Sequence, residues 1–289
     1  MNKRMCRTLV RIVFCILILL SILLAAVSWQ NMVVSSYRIE SDKVEEGIRI
    51  AHISDLHSIF HGENQEELIA AIDKADPDLI CMTGDIADDD TSDAGTIALL
   101  ESIGGRYPCY YVTGNHECCV DGGVERLKKC LFEAYGVTVL DPGCEVAEVG
   151  GQKITVVGID DIELLGAKQW EKQIRACGKQ KEDSLFSVLL SHRPERVKTY
   201  NRYDFDLILS GHAHGGQIRI PGVMNGLIAP NQGLFPKYAG GEYFLENGST
   251  MIVSRGLAKN LFPRTFNPPE LVIIDVVKGG ADEQEDKNL

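Results

Sequence analysis

Apolar residues in this chain gather in short runs, and most of the runs are separated by longer stretches with helical spacing. Ile48 to Ser54 reads as a strand that reaches Asp55. Glu63 to Lys74 then places Leu68, Ile69 and Ile72 on one helical face. Asp78 to Thr83 is a buried strand ending at Gly84-Asp85, and Thr96 to Ile103 is a helix. Cys109 to Thr113 is a strand ending at Gly114-Asn115-His116, followed by a helix over Val124 to Tyr135 and a short strand over Val137 to Leu140. This β-α-β-α-β rhythm predicts parallel strands joined by right-handed crossovers. The second half is richer in strands. Val146 to Val149 and Lys153 to Gly158 form a hairpin about Gly150-Gly151, Ala167 to Cys177 a helix, and Phe186 to Leu190 a strand ending at Ser191-His192. A short helix over Glu195 to Tyr200 precedes the strand Phe205 to Leu209, which runs into Ser210-Gly211-His212-Ala213-His214-Gly215-Gly216. Gln217 to Ile220, Tyr243 to Leu245, Met251 to Val253 and Leu271 to Val277 read as further strands.

One stretch breaks the rhythm. Ile12 to Trp29 is 18 residues without a charge, after a basic segment holding Lys3, Arg4, Arg7 and Arg11. A helix of about 17–25 apolar residues spans a bilayer core, and basic flanks stay on the cytoplasmic side. The pattern predicts a basic tail over 1–11, a single-pass anchor in the cell membrane over 12–29, and an extracytoplasmic body. Residues 30–47 read as a linker or first edge strand, 48–277 as the main domain and 278–289 as a polar tail.

Charge and cysteines narrow the function. The chain carries −12 overall, from 29 basic and 41 acidic residues. Its first 30 residues hold four of the basic ones and no acidic one, so the rest carries 25 against 41, or −16. A nucleic-acid binder needs a basic face, so none is expected as a partner. Nine cysteines form no C-x-x-C pair, which leaves neither a disulfide framework nor zinc-finger spacing.

The candidate chemistry lies at the strand ends. Asp55-Leu56-His57, Gly84-Asp85, Gly114-Asn115-His116-Glu117, Ser191-His192 and Gly211-His212-Ala213-His214 each follow an apolar run. Ligands on open α/β sheets collect beyond the carboxyl ends of strands. Oxygen and imidazole donors without thiolate suit Mn²⁺, Fe or Zn²⁺. Two adjacent cations need a carboxylate between them, and Asp85 is the natural bridge. Two metals about 3.5–4 Å apart serve displacement at phosphorus.

These five motifs resemble, in order, those of the calcineurin-like metallophosphoesterases. The segments Ile53-Ser54-Asp55-Leu56-His57, Gly211 to Gln217 and Phe266-Asn267-Pro268-Pro269-Glu270 are most similar to the membrane-associated YaeI/YkuE-type branch. The resemblance implies a four-layer α/β/β/α sandwich, here with an N-terminal transmembrane helix. It implies one divalent metal on Asp55, His57, Asp85 and His214, and a second on Asp85, Asn115, His192 and His212. His116 matches the histidine that contacts the scissile phosphate and protonates the leaving group. The implied reaction is hydrolysis of a phosphodiester or phosphomonoester by a hydroxide bridging the metals. With an anchor, the expected substrate is a small-molecule or lipid-linked phosphoester of the envelope. A noncatalytic metal-stabilised binding module and a phosphatase on a soluble or protein substrate are the alternatives.

Other residues carry weaker expectations. Glu117 either orients the His116 imidazole or is an exposed carboxylate. His52 points away from Ile53 and reads as packing, whereas His61 borders the substrate or packs. Arg255, Lys259 and Arg264 contact phosphate or are solvated. Leu234-Phe235-Pro236 and Leu261-Phe262-Pro263 are apolar loop tips that join the core or dip toward lipid.

Overall fold

The computed structural model describes residues 7–8, 11–19, 21, 31–118, 124–140, 142–259 and 264–280. Two six-stranded sheets form its centre. The first runs β1-β14-β2-β3-β4-β5 and the second β12-β13-β9-β8-β7-β6. In the first, β1 is Val33–Ser41, β2 Ile48–Ile53, β3 Leu79–Thr83, β4 Cys109–Val112, β5 Thr138–Val139 and β14 Glu270–Lys278. In the second, β6 is Gly143–Val149, β7 Gln152–Gly158, β8 Phe186–Leu190, β9 Leu207–Ser210, β12 Gly241–Phe244 and β13 Thr250–Val253. A small ribbon pairs β10, Ile228–Ala229, with β11, Gly233–Leu234.

Alternation along the strands builds three apolar layers. Ile50, Leu79, Val272 and Ile274 of the first sheet meet Val156, Val188, Leu209 and Ile252 of the second in the central one. The opposite face of the first sheet, with Ile53, Ile80 and Met82, packs on Leu68 and Ile72 of helix Glu66–Ala75 and Leu99, Leu100 and Ile103 of helix Ala94–Ile103. Phe132 of helix Val124–Ala134 stacks on Tyr111 with ring centroids 3.8 Å apart. Beyond the second sheet, Val157, Leu189 and Ile208 bury Trp170 and Ile174 of helix Ala167–Gln180. Helix, sheet, sheet and helix therefore stack as the expected four layers.

The parallel order β2-β3-β4-β5 carries the carboxyl ends of the first sheet to one edge. β7, β8 and β9 run parallel in the second. The two edges meet across the interior, where His192 Nδ1 lies 2.7 Å from Thr83 O and the His212 amide donates to Asp55.

Of the two readings of residues 30–47, the edge strand is the one found, and two other stretches differ from the pattern expected of them. Val33–Ser41 is an edge strand paired along all of β14, and Ser35, Ser36 and Arg38 mute its apolar signal. Gln217 to Ile220 is not a strand: it makes only the isolated bridges Ile218–Thr265 and Ile220–Met224. The glycines before it turn the chain at Gly215 (φ 63°) and Gly216 (φ 65°). Toward the N-terminus, residues 11–19 are helical, with Ile12, Phe14, Leu17 and Leu19 exposed. Among the described residues no helix is long and apolar enough to cross a membrane. Residues 20 and 22–29 of the expected span lie outside the described residues, as do 281–289 of the polar tail and the loop tip at 261–263.

Candidate metal centre

The strand-end loops are bent in a way few side chains tolerate. Asp55 (φ 51°), His57 (φ 49°), Asp85 (φ 51°), His212 (φ 65°) and His214 (φ 46°) all adopt the left-handed region. Non-glycine residues rarely do so outside sites where the surrounding fold enforces it. Two glycines permit the close approach. A Cβ on Gly114 would overlap Asp85 Oδ1, and one on Gly211 would overlap Ser54 and Asp55.

A buried carboxylate holds the Asp85 loop in place. Glu117 accepts the amides of Asp85 at 2.9 Å, Ile86 at 2.8 Å, Ala87 at 3.1 Å and Gly114 at 2.8 Å. It is fully buried, so it is neither an exposed carboxylate nor a partner of the His116 ring. Burial and the neighbouring Asp85 charge push its carboxyl up. Asp85 Oδ1 accepts the His116 amide at 2.9 Å. Its Oδ2 faces His192 Nε2 at 3.2 Å and His57 Nε2 at 3.8 Å.

Two groups of donors share that carboxylate. Ligand atoms of Asp55, His57, Asp85 and His214 all lie within 4.8 Å of one another, and so do those of Asp85, His192 and His212. Within the first group His214 Nε2 is 3.5 Å from Asp55 Oδ1. In the second, Asn115 Oδ1 and His212 Nδ1 each lie 3.2 Å from His192 Nε2. All seven predicted ligands are thus brought together.

The outer partners of the imidazoles say which nitrogens face inward. His192 Nδ1 sits on the Thr83 carbonyl, so it carries the proton and leaves Nε2 for the centre. His212 Nε2 lies 2.9 Å from both Asn231 Oδ1 and Arg193 Nη1, and its Nδ1 faces the centre, 3.2 Å from His192 Nε2. Asn231 Oδ1 also accepts from Arg193 Nη1 at 2.9 Å. His57 turns Nδ1 to Asp88 at 3.0 Å, and its Nε2 is buried without a hydrogen-bond partner, as is His214 Nδ1. Buried ring nitrogens are rarely left without partners. Orphaned imidazole nitrogens beside Asp55, Asp85 and Asn115 form a mixed oxygen and imidazole donor set without thiolate, which fits divalent Mn, Zn or Fe.

The charges agree with that fit. Burial pushes His212 and His214 down to about 3, keeping both rings neutral. Burial also opposes charge on His192, but the adjacent Asp85 outweighs it and lifts this ring to about 10. Burial works against the Asp85 anion too, yet His192 and His57 hold its carboxyl well below the usual range. The proton on His192 occupies the position where a cation would bind, and a bound cation would displace it.

His116 stands at the rim, its side chain 35 % exposed. Its Nδ1 is 2.7 Å from Asp89 Oδ1 and 3.2 Å from Asp88 Oδ1, and its ring meets His57 edge-on at 4.4 Å. Asp88 and Asp89 went unnoticed in the sequence, although they follow Gly84-Asp85 within the same loop. Arg193 was missed as well. It is buried, is forked onto Asp161 at 2.6 and 2.7 Å, and sits directly after the predicted His192.

The remaining candidates do not face the centre. Arg264 is fully buried and donates to the carbonyls of Arg255, Gly256 and Ala258. Arg255 pairs with Glu270 at 2.5 Å, and exposed Lys259 donates to Phe60 O at 3.2 Å. His61 is buried with Nε2 2.9 Å from Leu257 O, so it packs and does not border the substrate. His52 packs inward with Nε2 2.7 Å from Thr83 Oγ1, as its strand position requires. Leu234 and Phe235 are exposed loop-tip residues, while Pro236 is buried.

Residues 48–216 match the family model of the calcineurin-like phosphoesterases. An uncharacterized metallophosphoesterase of Bacillus subtilis, YkuE, is 34% identical over 237 residues, covering 79% of this chain and 78% of that protein. An uncharacterized metallophosphoesterase of Campylobacter jejuni, Cj0846, is 28% identical over 270 residues, 90% of this chain and 68% of that protein. Among solved structures, the phosphopantetheinyl hydrolase PptH of Mycobacterium tuberculosis aligns with a TM-score of 0.48 and 14% identity, over 73% of this chain and 89% of that one. The chain belongs to the calcineurin-like phosphoesterase family and is a metal-dependent phosphoesterase.

Proposed function

We propose that this protein is a membrane-anchored, dinuclear phosphoesterase that cleaves a phosphodiester or phosphomonoester of a small-molecule or lipid-linked envelope substrate. The single observation that carries the reading is the sharing of Asp85 between two convergent donor groups. Asp55, His57, Asp85 and His214 would hold one divalent cation, and Asp85, Asn115, His192 and His212 the other. Bound there, such cations supply positive charge to phosphoryl oxygens and make water acidic enough to attack near neutral pH.

The rest of the chemistry belongs to side chains. Asp88 and Asp89 hold Nδ1–H of His116, which leaves Nε2 to donate a proton to the departing alcohol. Asp88 also receives His57, so one carboxylate orients both the proton donor and a ligand. Arg193, fixed by Asp161, keeps Asn231 against His212. Anchoring is supported by the basic start, the uncharged stretch Ile12 to Trp29 and the exposed apolar helix over 11–19. The −16 body weighs against polyanionic substrates.

The test is hydrolysis of bis-p-nitrophenyl phosphate with Mn²⁺ by wild type, Asp85→Asn and His116→Ala. The expected result is activity in wild type and its near-complete loss in both variants. Equal rates in all three would overturn the assignment.

A further inference from the structure

A second cavity, of about 420 Å³, lies beside the metal centre and takes none of the metal-binding residues into its wall. Arg219, Asn225 and Arg255 line its polar side, and Val223, Met224 and Phe266 its apolar side. The connection to the metal centre is short. His214 is five residues before Arg219, and Asn267, next to Phe266, donates to His214 O at 2.8 Å.

The two arginines are not equivalent. Arg255 is neutralised by Glu270 at 2.5 Å and also donates to Ser35 at 3.1 Å. Arg219 makes no ion pair among the described residues. Its Nη2 donates to Asn225 Oδ1 at 2.6 Å, and its Nη1 is buried without a hydrogen-bond partner. Burial and the adjacent Arg255 depress its pKa, a cost that an anion at this position would relieve. A guanidinium with a free donor is suited to a phosphate, which accepts in the same fork geometry.

The apolar wall is held outward deliberately by the backbone. Ile220 and Met224 pair through two backbone hydrogen bonds of 3.0 and 2.8 Å, closing a Pro221-Gly222 turn that leaves Val223 81% exposed. Phe266 is 48% exposed and sits at φ 50°, a conformation costly for a bulky residue. Strain of this kind persists where the surrounding fold imposes it, and it gathers at ligand clamps. A half-buried cation without an ion pair, beneath an exposed apolar rim, matches an amphiphile with a charged head.

We propose that the cavity between Arg219 and Arg255 is a second ligand site, which takes a phosphate group carried on an apolar chain. The phosphate would accept from the Arg219 guanidinium, and the chain would leave between Val223 and Phe266. This goes beyond the reading of the metal centre, and it stands or falls without turnover.

Binding of dihexanoyl phosphatidic acid, below its micellar concentration, is measured by calorimetry on the full chain freed of metal by a chelator, beside inorganic phosphate alone. The variants are Arg219→Gln, Val223→Ser and Phe266→Gly. Wild type is expected to show one more class of lipid site than Arg219→Gln, or an affinity about 10-fold higher, as loss of a charge-assisted bond implies. Val223→Ser is expected to weaken lipid binding about 5-fold and leave phosphate binding unchanged. Phe266→Gly relieves the left-handed strain, so its melting temperature holds while its lipid affinity falls; a purely structural aromatic would behave in the opposite way. Equal lipid affinity in wild type, Arg219→Gln and Val223→Ser overturns the proposal. So does inorganic phosphate that binds as tightly as the lipid. These measurements do not depend on hydrolysis, so an inactive metal centre would leave the site itself standing.

Discussion

The two halves of the metal centre use the same residue types and differ in what stands behind them. His192 and His212 are 1% and 4% exposed; the Thr83 carbonyl holds the outer nitrogen of the first, and the Asn231 amide and the Arg193 guanidinium each lie 2.9 Å from that of the second. The side chains of His57 and His214 are 12% and 14% exposed, and His57 rests on the Asp88 carboxylate, which also serves His116. One half is closed and has no carboxylate behind its imidazoles. The other opens toward the proton donor and shares its support with the chemistry. A dry, preorganised shell favours retention of a cation, and a wetter one favours exchange. In the proposed dinuclear centre, the half built from Asn115, His192 and His212 is therefore expected to retain its cation, and the half built from Asp55, His57 and His214 to exchange it.

The largest effect comes from removing what the halves have in common. Asp85→Asn is expected to lower turnover of a phosphodiester by about 10³-fold or more, since several kcal/mol of charge stabilisation depend on both cations being held. Metal analysis on the purified variant should show loss from both halves. Loss from one half alone would mean that Asp85 is a terminal ligand and the comparison is misdrawn.

Next in size is His116, the proposed proton donor, which leans on the open half. His116→Asn is expected to cost about 10²- to 10⁴-fold in rate with metal content unchanged. Asp89→Asn keeps the shape but weakens the hold on Nδ1–H, so a smaller loss is expected, with the acidic limb of the pH–rate profile displaced. An unchanged profile would show that Asp89 does not position the ring.

A direct test of the asymmetry sets Asn231→Ala beside Asp88→Asn. Outer partners of ligating histidines typically carry about 10- to 100-fold in metal affinity. Asn231→Ala is expected to loosen only the retentive cation. Asp88→Asn is expected to loosen only the exchanging one, and to slow turnover besides, because it also supports His116. Competition with a chelator, followed site by site, distinguishes them. Identical release curves for both variants would erase the distinction between the halves.

The same contrast explains what could be read from the chain. Each of the seven candidate ligands follows a strand within a few residues, and strand ends are easy to find because fully buried strands such as Leu79–Thr83 and Phe186–Leu190 are apolar runs interrupted only by Thr83 and Ser187. The support behind the ligands has no such address. Asn231 lies in a loop far from His212 in sequence, and only the fold brings them together. Glu117 looks like a surface carboxylate until the turn of Asp85, Ile86 and Ala87 presents three amides to it. Arg264 and Arg255 read as free cations for the same reason: their partners, backbone carbonyls and Glu270, are fixed by loop geometry and not by spacing. The edge strand Val33–Ser41 was ambiguous because half of its face is wet, so alternation there is mostly polar.

The last effect concerns stability and not turnover, and it belongs to histidines outside both halves. Burial pushes His61 down to about 4 and His52 down to about 3. An unfolded histidine titrates near 6.5, so below that value the unfolded chain binds protons that these buried rings refuse. Stability contributed by the neutral rings is complete above about pH 6.5 and is lost as pH falls toward 4. Each ring contributes a slope of up to about 1.4 kcal/mol per pH unit in that window. His61→Gln retains a donor for the Leu257 carbonyl but cannot titrate. Its unfolding free energy should therefore fall less steeply than that of wild type between pH 6.5 and 4, with the two curves parallel above pH 7. Both proteins release metal as acid protonates the ligands, and that contribution cancels in the difference between them. A difference that stayed constant across the whole range would mean that His61 titrates normally in the fold, and the rigid, dry surroundings inferred for it would have to be replaced by solvent.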